Sequence, residues 1–196
     1  MEHQGDVIEG ELVNLRRTEE RDLPFLQALW NDGRTMASVG YPFGLDITAE
    51  EMRRWWVRNE MRSENARYGL TDDLGHRIVE TKLGLPVGES GFSQPPSGGM
   101  ATLELKIQAD HWGSGYGSDA LRALIRHTFD HTNLDLVVVE PALDNHRART
   151  LYAKLGFEPS PRLVLPGREN RGLFMALSRA RYREAQRPQP VFSGAG

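Results

Sequence analysis

The segment Trp112-Gly113-Ser114-Gly115-Tyr116-Gly117 sets three glycines at alternate positions. Glycine reaches left-handed backbone conformations without penalty and lets a chain approach a neighbour with its N–H groups uncovered. Ahead of it, Thr102 to Gln108 alternates, with Leu103, Leu105 and Ile107 on one face and Glu104, Lys106 and Gln108 on the other. That is the pattern of a half-buried strand. Behind it, Ser118 to Thr132 carries Leu121, Leu124, Ile125 and Phe129 on one helical stripe. A helix that opens directly out of a glycine turn presents unpaired N–H groups and the positive end of its dipole, and both favour phosphate. The chemistry expected here is the binding of a phosphorylated cofactor.

A second constellation follows at Asp144-Asn145-His146-Arg147-Ala148-Arg149-Thr150-Leu151-Tyr152-Ala153-Lys154-Leu155-Gly156-Phe157. Asn145 is a good N-cap, and Ala148, Leu151, Tyr152 and Leu155 form an i, i+3, i+4, i+7 stripe. On periodicity alone Tyr152 is a core residue with a polar tip, and Glu104 is a residue on a sheet surface. The glycine turn also suits a dinucleotide site with Glu140 as the ribose carboxylate, but its third glycine falls one place early for that fingerprint. His127 and His131 stand four apart on a helix, yet a metal needs a third ligand, so they read as a solvated flank. Ser114 lacks the spacing of a nucleophile elbow.

The elements that must position these groups can be read from their boundaries. Glu11 to Arg16 reads as a first strand. Thr18 is expected to cap a helix through Trp30 that Asn31-Asp32-Gly33 ends. Gly40 to Leu45 reads as a loop, and Thr48 with Glu51 forms a capping box for a second helix bearing Trp55 and Trp56. Adjacent tryptophans cannot both be buried on one helix face, so one should line a groove or an interface. Strands are expected over Arg67–Thr71, Arg77–Lys82 and Leu85–Phe92, with a turn at Asp72–Gly75 and a loop at Gln94–Gly99. Leu134 to Glu140 is a buried-type strand, Asn145 to Leu155 a helix stopped by Gly156, and Leu163–Leu165 and Leu173–Leu177 the last strands. Alternating helices and strands predict one α/β (α+β) domain, a mixed sheet with helices packed on it.

Composition bounds the function. The chain has 196 residues, no cysteine and a net charge of −3. Disulfides, thiolate nucleophiles and cysteine metal sites are therefore excluded, and attraction of the whole chain to nucleic acid is not expected. No apolar run approaches a membrane span and no signal peptide is visible, which fits a cytoplasmic protein. Arg162, Arg168, Arg171, Arg179, Arg181, Arg183 and Arg187 read as a solvated basic surface, with contact to cofactor phosphates or RNA as the alternative. Asp46, Glu50, Glu51, Glu60 and Glu64 would favour a cationic amine if they lined a cleft.

The glycine turn, the strand after it, then Asn145, nine further residues and Leu-Gly-Phe resemble the GNAT superfamily of acetyl-coenzyme-A-dependent N-acetyltransferases. The Trp-Gly-x-Gly-Tyr form, Val13-Asn14-Leu15-Arg16, Trp30-Asn31-Asp32 and Pro86-Val87-Gly88-Glu89-Ser90-Gly91-Phe92 are similar to the branch that holds ribosomal-protein N-terminal, polyamine and antibiotic acetyltransferases. The resemblance implies the GNAT fold, a mostly antiparallel central sheet flanked by helices. It divides the chain into an extension at 1–10, the acetyltransferase domain at 11–183 and a polar tail at 184–196. It implies acetyl-coenzyme A as cosubstrate and a small-molecule or peptide amine as acceptor, with no membrane or stable nucleic-acid partner; a homodimer is admitted. Backbone N–H groups of Trp112, Gly113, Ser114, Gly115, Tyr116 and Gly117, with a helix start at Ser118, would hold the pyrophosphate. The strand edge ending at Ile107 and Gln108, together with Asn145, would hold the pantetheine arm. Tyr152 would protonate the departing thiolate and Glu104 would act as base. Ser114 stands where the family often has a basic residue, and Ala148 where a serine is common. The stretch between Tyr68 and Gly91 is longer than usual and borders the acceptor pocket of relatives.

Overall fold

The computed structural model describes residues 7–67, 73–93, 99–161, 163 and 172–187. One eight-stranded sheet organises them, in the order β1-β2-β3-β4-β5-β6-β8-β7. The strands are β1 Val7–Glu9, β2 Val13–Arg17, β3 Asp73–Thr81, β4 Pro86–Ser93, β5 Met100–Ile107, β6 Leu136–Val139, β7 Glu158–Pro159 and β8 Met175–Ser178. All neighbours run antiparallel except β5 and β6. The helices are α1 Leu23–Asn31, α2 Gly33–Ala37, α3 Ala49–Arg67, α4 Tyr116–His131, α5 His146–Lys154 and α6 Arg179–Ala185.

Strand alternation divides the core between the two faces of the sheet. Val13, Leu15, Val79, Val87, Leu103 and Val137 turn toward Ala120, Leu124 and Phe129 of α4. Ile78, next to Val79, turns the other way and meets Leu26, Leu29 and Trp30 of α1 and Met52 of α3. Val137, Val138 and Val139 are all buried, as expected of a strand covered on both faces. The predicted capping box holds, with the Thr48 N–H and hydroxyl both donating to Glu51 and the Glu51 N–H to Thr48.

Several expectations change. Val7–Glu9 is a strand paired with β2, too short to announce itself by alternation. Thr18 does not cap: its hydroxyl donates to the His76 carbonyl at 3.0 Å, and Glu19 stands at the N-cap of a single tight turn ahead of α1. The chain does not simply leave α1 at Asp32, because that side chain accepts from the Arg34 N–H and starts the short α2. Of the turn expected at Asp72–Gly75, Asp73 to Gly75 instead begin β3, irregular in register between Asp73 and Gly75, and Asp72 lies outside the described residues. Arg179 is not solvated surface: its guanidinium donates to the carbonyls of Phe129, Thr132 and Leu134 and closes the C-terminus of α4. Most of the Arg67–Thr71 and Leu163–Leu165 strands and of the Gln94–Gly99 loop, and the tail past residue 187, lie outside the described residues.

The N-terminal hairpin is fixed by one buried carboxylate. Asp119, in the first turns of α4, accepts from the N–H groups of Glu11, Leu12 and Val13 at 3.0, 2.7 and 3.0 Å. A Cβ on Gly10 would sit 2.3 Å from Asp119 Oδ2, so this close approach admits glycine alone. The link brings Leu12 against the glycine turn, where its Cδ1 lies 3.2 Å from a Cβ built on Gly115.

Candidate active site

The parallel pairing of β5 and β6 lasts three residues, Met100 to Thr102 against Leu136 to Val138. Beyond it β5 continues to Ile107 with β4 on its other side, while β6 ends at Val139. The strands splay, and one edge of β5 loses its partner from Leu103 onward. A cavity of about 560 Å³ fills the opening and extends under α1, α3 and α5.

At the wide end of the splay stands the glycine turn. Gly113 and Gly115 have φ of 87° and 83°, a region open to glycine and costly for other residues. Gly115 is the N-cap of α4, so the helix starts at Tyr116, two residues earlier than the sequence suggested. The first bond back into the helix is from Asp119 N–H to the Gly115 carbonyl at 3.0 Å. The N–H groups of Gly113 through Ser118 meet no acceptor among the described residues. The Trp112 N–H, expected to join them, donates to Ala109 at 3.1 Å, and its indole N–H donates to the Ile107 carbonyl at 2.7 Å. The Gln108 N–H is likewise committed, to Val87 at 2.9 Å. Gly117 seats the helix on β5: a Cβ there would lie 3.5 Å from Ile107 and 3.7 Å from Leu105. Two cations flank the turn. Arg122 donates to the Ser118 hydroxyl at 3.2 Å, and the Arg147 guanidinium stacks 4.8 Å from the Trp112 ring.

Asn145, Tyr152 and Glu104 all line the cavity. Asn145 caps α5 by accepting from the Ala148 N–H and ties it to α2 by donating to the Ser38 carbonyl, both at 3.0 Å. Tyr152 packs its ring 5.6 Å from Phe157, and its hydroxyl has no hydrogen-bond partner among the described residues. Burial, with the Glu104 charge added, pushes its phenol up to about 12, so it holds its proton throughout the neutral range. Glu104 is half-exposed, 4.0 Å from Lys106 Nζ.

A buried polar cluster that the sequence reading did not single out forms the far wall. Glu89, in the middle of β4, is only 1% exposed. Its Oε1 accepts from Trp30 Nε1 and from Lys106 Nζ, both at 2.7 Å, and its Oε2 lies 3.3 Å from His76 Nδ1. Burial works to raise the Glu89 carboxyl, but the Lys106 and His76 charges and the two donors outweigh it and hold it below the usual carboxylate range. Trp55 and Trp30 meet the His76 ring edge-on at 4.8 and 6.2 Å, so Trp55 is the tryptophan of the pair that faces the groove. The signal for Glu89 lay in β4 itself, where Gly88-Glu89-Ser90-Gly91 sets an acid among small residues with no polar alternation. Asp46, Glu50, Glu51 and Glu60 do not line the cavity, and the Glu64 side chain lies outside the described residues. Glu51 caps α3 and Glu60 pairs with Arg17 at 2.9 Å. Among the described residues the carboxylates at the cavity are Glu104 and Glu140, with Glu89 behind its wall.

A family model described as an acetyltransferase (GNAT) domain matches residues 13–158. Among solved structures, the fold is similar to spermidine N-acetyltransferase from Vibrio cholerae in complex with coenzyme A and spermine, at 19% identity and a TM-score of 0.68, over 88% of this chain and 98% of that one. It is similar to RimL, a ribosomal-protein alpha-N-acetyltransferase in complex with coenzyme A, at 17% identity and a TM-score of 0.71, over 88% and 98%. An aminoglycoside acetyltransferase in complex with coenzyme A matches at 21% identity and a TM-score of 0.68, over 89% and 99%. At these identities the likeness is one of fold. No helix among the described residues is long and apolar enough to cross a membrane.

Proposed function

The chain belongs to the GNAT acetyltransferase family, and on that premise we propose that it transfers an acetyl group from acetyl-coenzyme A to a primary amine, small or peptidic, by direct attack in a ternary complex. The observation that carries this reading is the splay of β5 from β6, which runs from the uncovered N–H groups of Gly113 to Ser118 at its mouth to the Tyr152 hydroxyl at its wall. When bound, acetyl-coenzyme A supplies an acetyl group activated as a thioester.

The chain's own groups suit that ligand. The α4 N-terminus offers N–H donors and a dipole to pyrophosphate, and Arg122 and Arg147 supply the positive charge that Ser114 does not. The unpartnered edge of β5 offers main-chain groups to an extended amide-bearing arm. Tyr152 Oη keeps a proton for the leaving sulfur; a thiol of pKa about 8.5 leaves more readily when a phenol stands ready to protonate it. Glu104, which lines the cavity, would draw an ammonium into it and take part in its deprotonation.

The test has two arms. Acetyl-coenzyme A should raise the melting temperature of the parent and not that of Gly115→Val, whose side chain resists φ of 83° and meets Leu12 at 3.2 Å. A transfer screen over protein N-termini, polyamines, aminoglycosides and amino acids, read by free thiol, should find turnover. No stabilisation at millimolar coenzyme A would overturn the cofactor assignment, and stabilisation with no transfer to any amine would leave an acyl-coenzyme-A-binding module instead.

A further inference from the structure

The loop between α2 and α3 supplies one wall of the cavity, and that wall is apolar. Val39, Tyr41 and Leu45 line the cavity and remain 40%, 40% and 38% exposed. The backbone holds them there. The Tyr41 N–H donates to the Met36 carbonyl at 3.0 Å, the Gly44 N–H to the Tyr41 carbonyl at 3.0 Å and the Leu45 N–H to the Trp30 carbonyl at 2.9 Å. The Asn31 side chain accepts from the Ile47 N–H at 2.7 Å and donates to the Ile47 carbonyl at 2.9 Å. A Cβ on Gly44, at φ of 76°, would strike the Asn31 carbonyl. Trp30 and Trp55, edge-on at 4.9 Å, line the same cavity. A preformed hollow walled by aromatic and aliphatic groups takes the apolar body of a ligand, and its few polar groups fix the orientation.

The charge balance points the same way. Among the described residues two carboxylates line the cavity, Glu104 and Glu140, and Lys106 lines it as a cation. Glu140 accepts from the Gly172 N–H at 3.1 Å, and Glu104 lies 4.0 Å from Lys106 Nζ. The Glu89 charge is set against Lys106 at 2.7 Å. Polyamines and aminoglycosides bring several ammonium groups each. A cation that leaves water without finding a counter-charge loses more than it gains. Such molecules would bring more charge than this lining offsets, whereas an acceptor with one ammonium group fits it.

We propose that the acceptor is a primary amine with a single positive charge, carried on an aromatic or branched apolar group that packs on Val39, Tyr41 and Leu45. A free arylalkylamine and a peptide whose first residue is apolar share that chemistry. This inference rests on the acetyl-transfer reading and names the class of amine that reading leaves open.

The experiment reads transfer and binding separately. Phenethylamine is paired with ethylamine, and a tripeptide headed by phenylalanine with one headed by serine; spermidine and kanamycin represent amines of several charges. In at least one pair, kcat/KM for the apolar member should exceed that of its partner, of spermidine and of kanamycin by at least about tenfold. Preference in the first pair marks a free amine, and in the second a peptide N-terminus. Binding of the apolar member to the protein with coenzyme A, read by calorimetry, should carry a negative heat-capacity change. Tyr41→Ala and Leu45→Ala change half-exposed side chains and should fold as the parent does. Each should keep the stabilisation by acetyl-coenzyme A and cut the preference within the pair at least about fivefold. Val39→Asp adds a carboxylate to the wall and should raise kcat/KM for spermidine. Faster turnover of spermidine or kanamycin than of both apolar acceptors would overturn the inference and leave acetyl transfer intact. An unchanged preference in both alanine variants would do the same. Binding of an apolar acceptor that weakens in Tyr41→Ala, with no transfer to any amine, would sink the acetyl-transfer reading and leave the apolar amine site standing. Neither transfer to nor binding of either apolar acceptor would overturn the inference outright.

Discussion

Glu89→Gln is the sharpest probe of the cluster behind the cavity. The substitution keeps the shape of the side chain and one acceptor oxygen but removes the charge that compensates Lys106. That lysine is only 13% exposed, and its next carboxylate, Glu104, is 4.0 Å away and half in solvent. Breaking a buried ion pair by removing one partner costs about 3–5 kcal/mol, because the other charge stays buried. For a chain of this length about 1 kcal/mol moves Tm by roughly 2–4 °C, so Glu89→Gln should melt roughly 6–20 °C below the parent at pH 7. The double variant with Lys106→Met removes both charges and should recover much of that loss, a non-additivity that marks direct coupling. The pH dependence has a definite sign. The Glu89 carboxyl is held below its unfolded value, so its stabilisation is present above about pH 4.3 and is lost as pH falls through the folded value. The difference between parent and variant should therefore be full at pH 7 and shrink in acid. Calorimetry of the four proteins at several pH values reads all of this. A Glu89→Gln protein melting within about 2 °C of the parent at pH 7 would refute the account of a charge-compensated core.

Two further outcomes follow from the geometry. Tyr152→Phe keeps the ring against Phe157 and should leave stability and acetyl-coenzyme A affinity intact while kcat and kcat/KM fall together by about 10²-fold; a parent-like turnover would make Tyr152 a packing residue. Asp119→Asn replaces a carboxylate that accepts three N–H groups and should cost about 2–4 kcal/mol, read as a lower urea midpoint at constant slope; an unchanged midpoint would mean that the hairpin does not depend on that charge.

What could be read from the sequence divides by the range of the interaction that encodes it. The glycine turn, α4, β5, β6 and the Thr48–Glu51 capping box were legible because each is written within a few residues, in φ requirements, periodicity or cap chemistry. Thr18 was misread for the same reason: its hydroxyl obeys a tertiary demand, the His76 carbonyl 58 positions away, and not the helix beside it. Of Trp30, His76, Glu89 and Lys106, Glu89 alone carried a local sign, an acid among the small residues of β4. They become a cluster through the pairing of β3 with β4 and β4 with β5 and through the packing of α1 on that face. The acids of α3 offered the stronger sequence signal for a cationic acceptor, yet Glu51 is taken by the helix cap and Glu60 by Arg17.

This division assigns different sensitivities to the two ends of the cavity. The end at the glycine turn presents main-chain N–H groups and depends chiefly on the positive φ of Gly113 and Gly115. The wall that holds His76 and Glu89 depends on register. A slip of one residue between β3 and β4 would turn His76 to the opposite face and place Arg77 beside Gly91. The register shift between Val79 and Glu80 lies in that same hairpin, three residues beyond His76. A β-bulge bends its strand and re-aims the side chains that follow it. Changes in the hairpin of β3 and β4 would thus re-aim this wall of the cavity, while the N–H groups of the glycine turn and Tyr152 stay where they are.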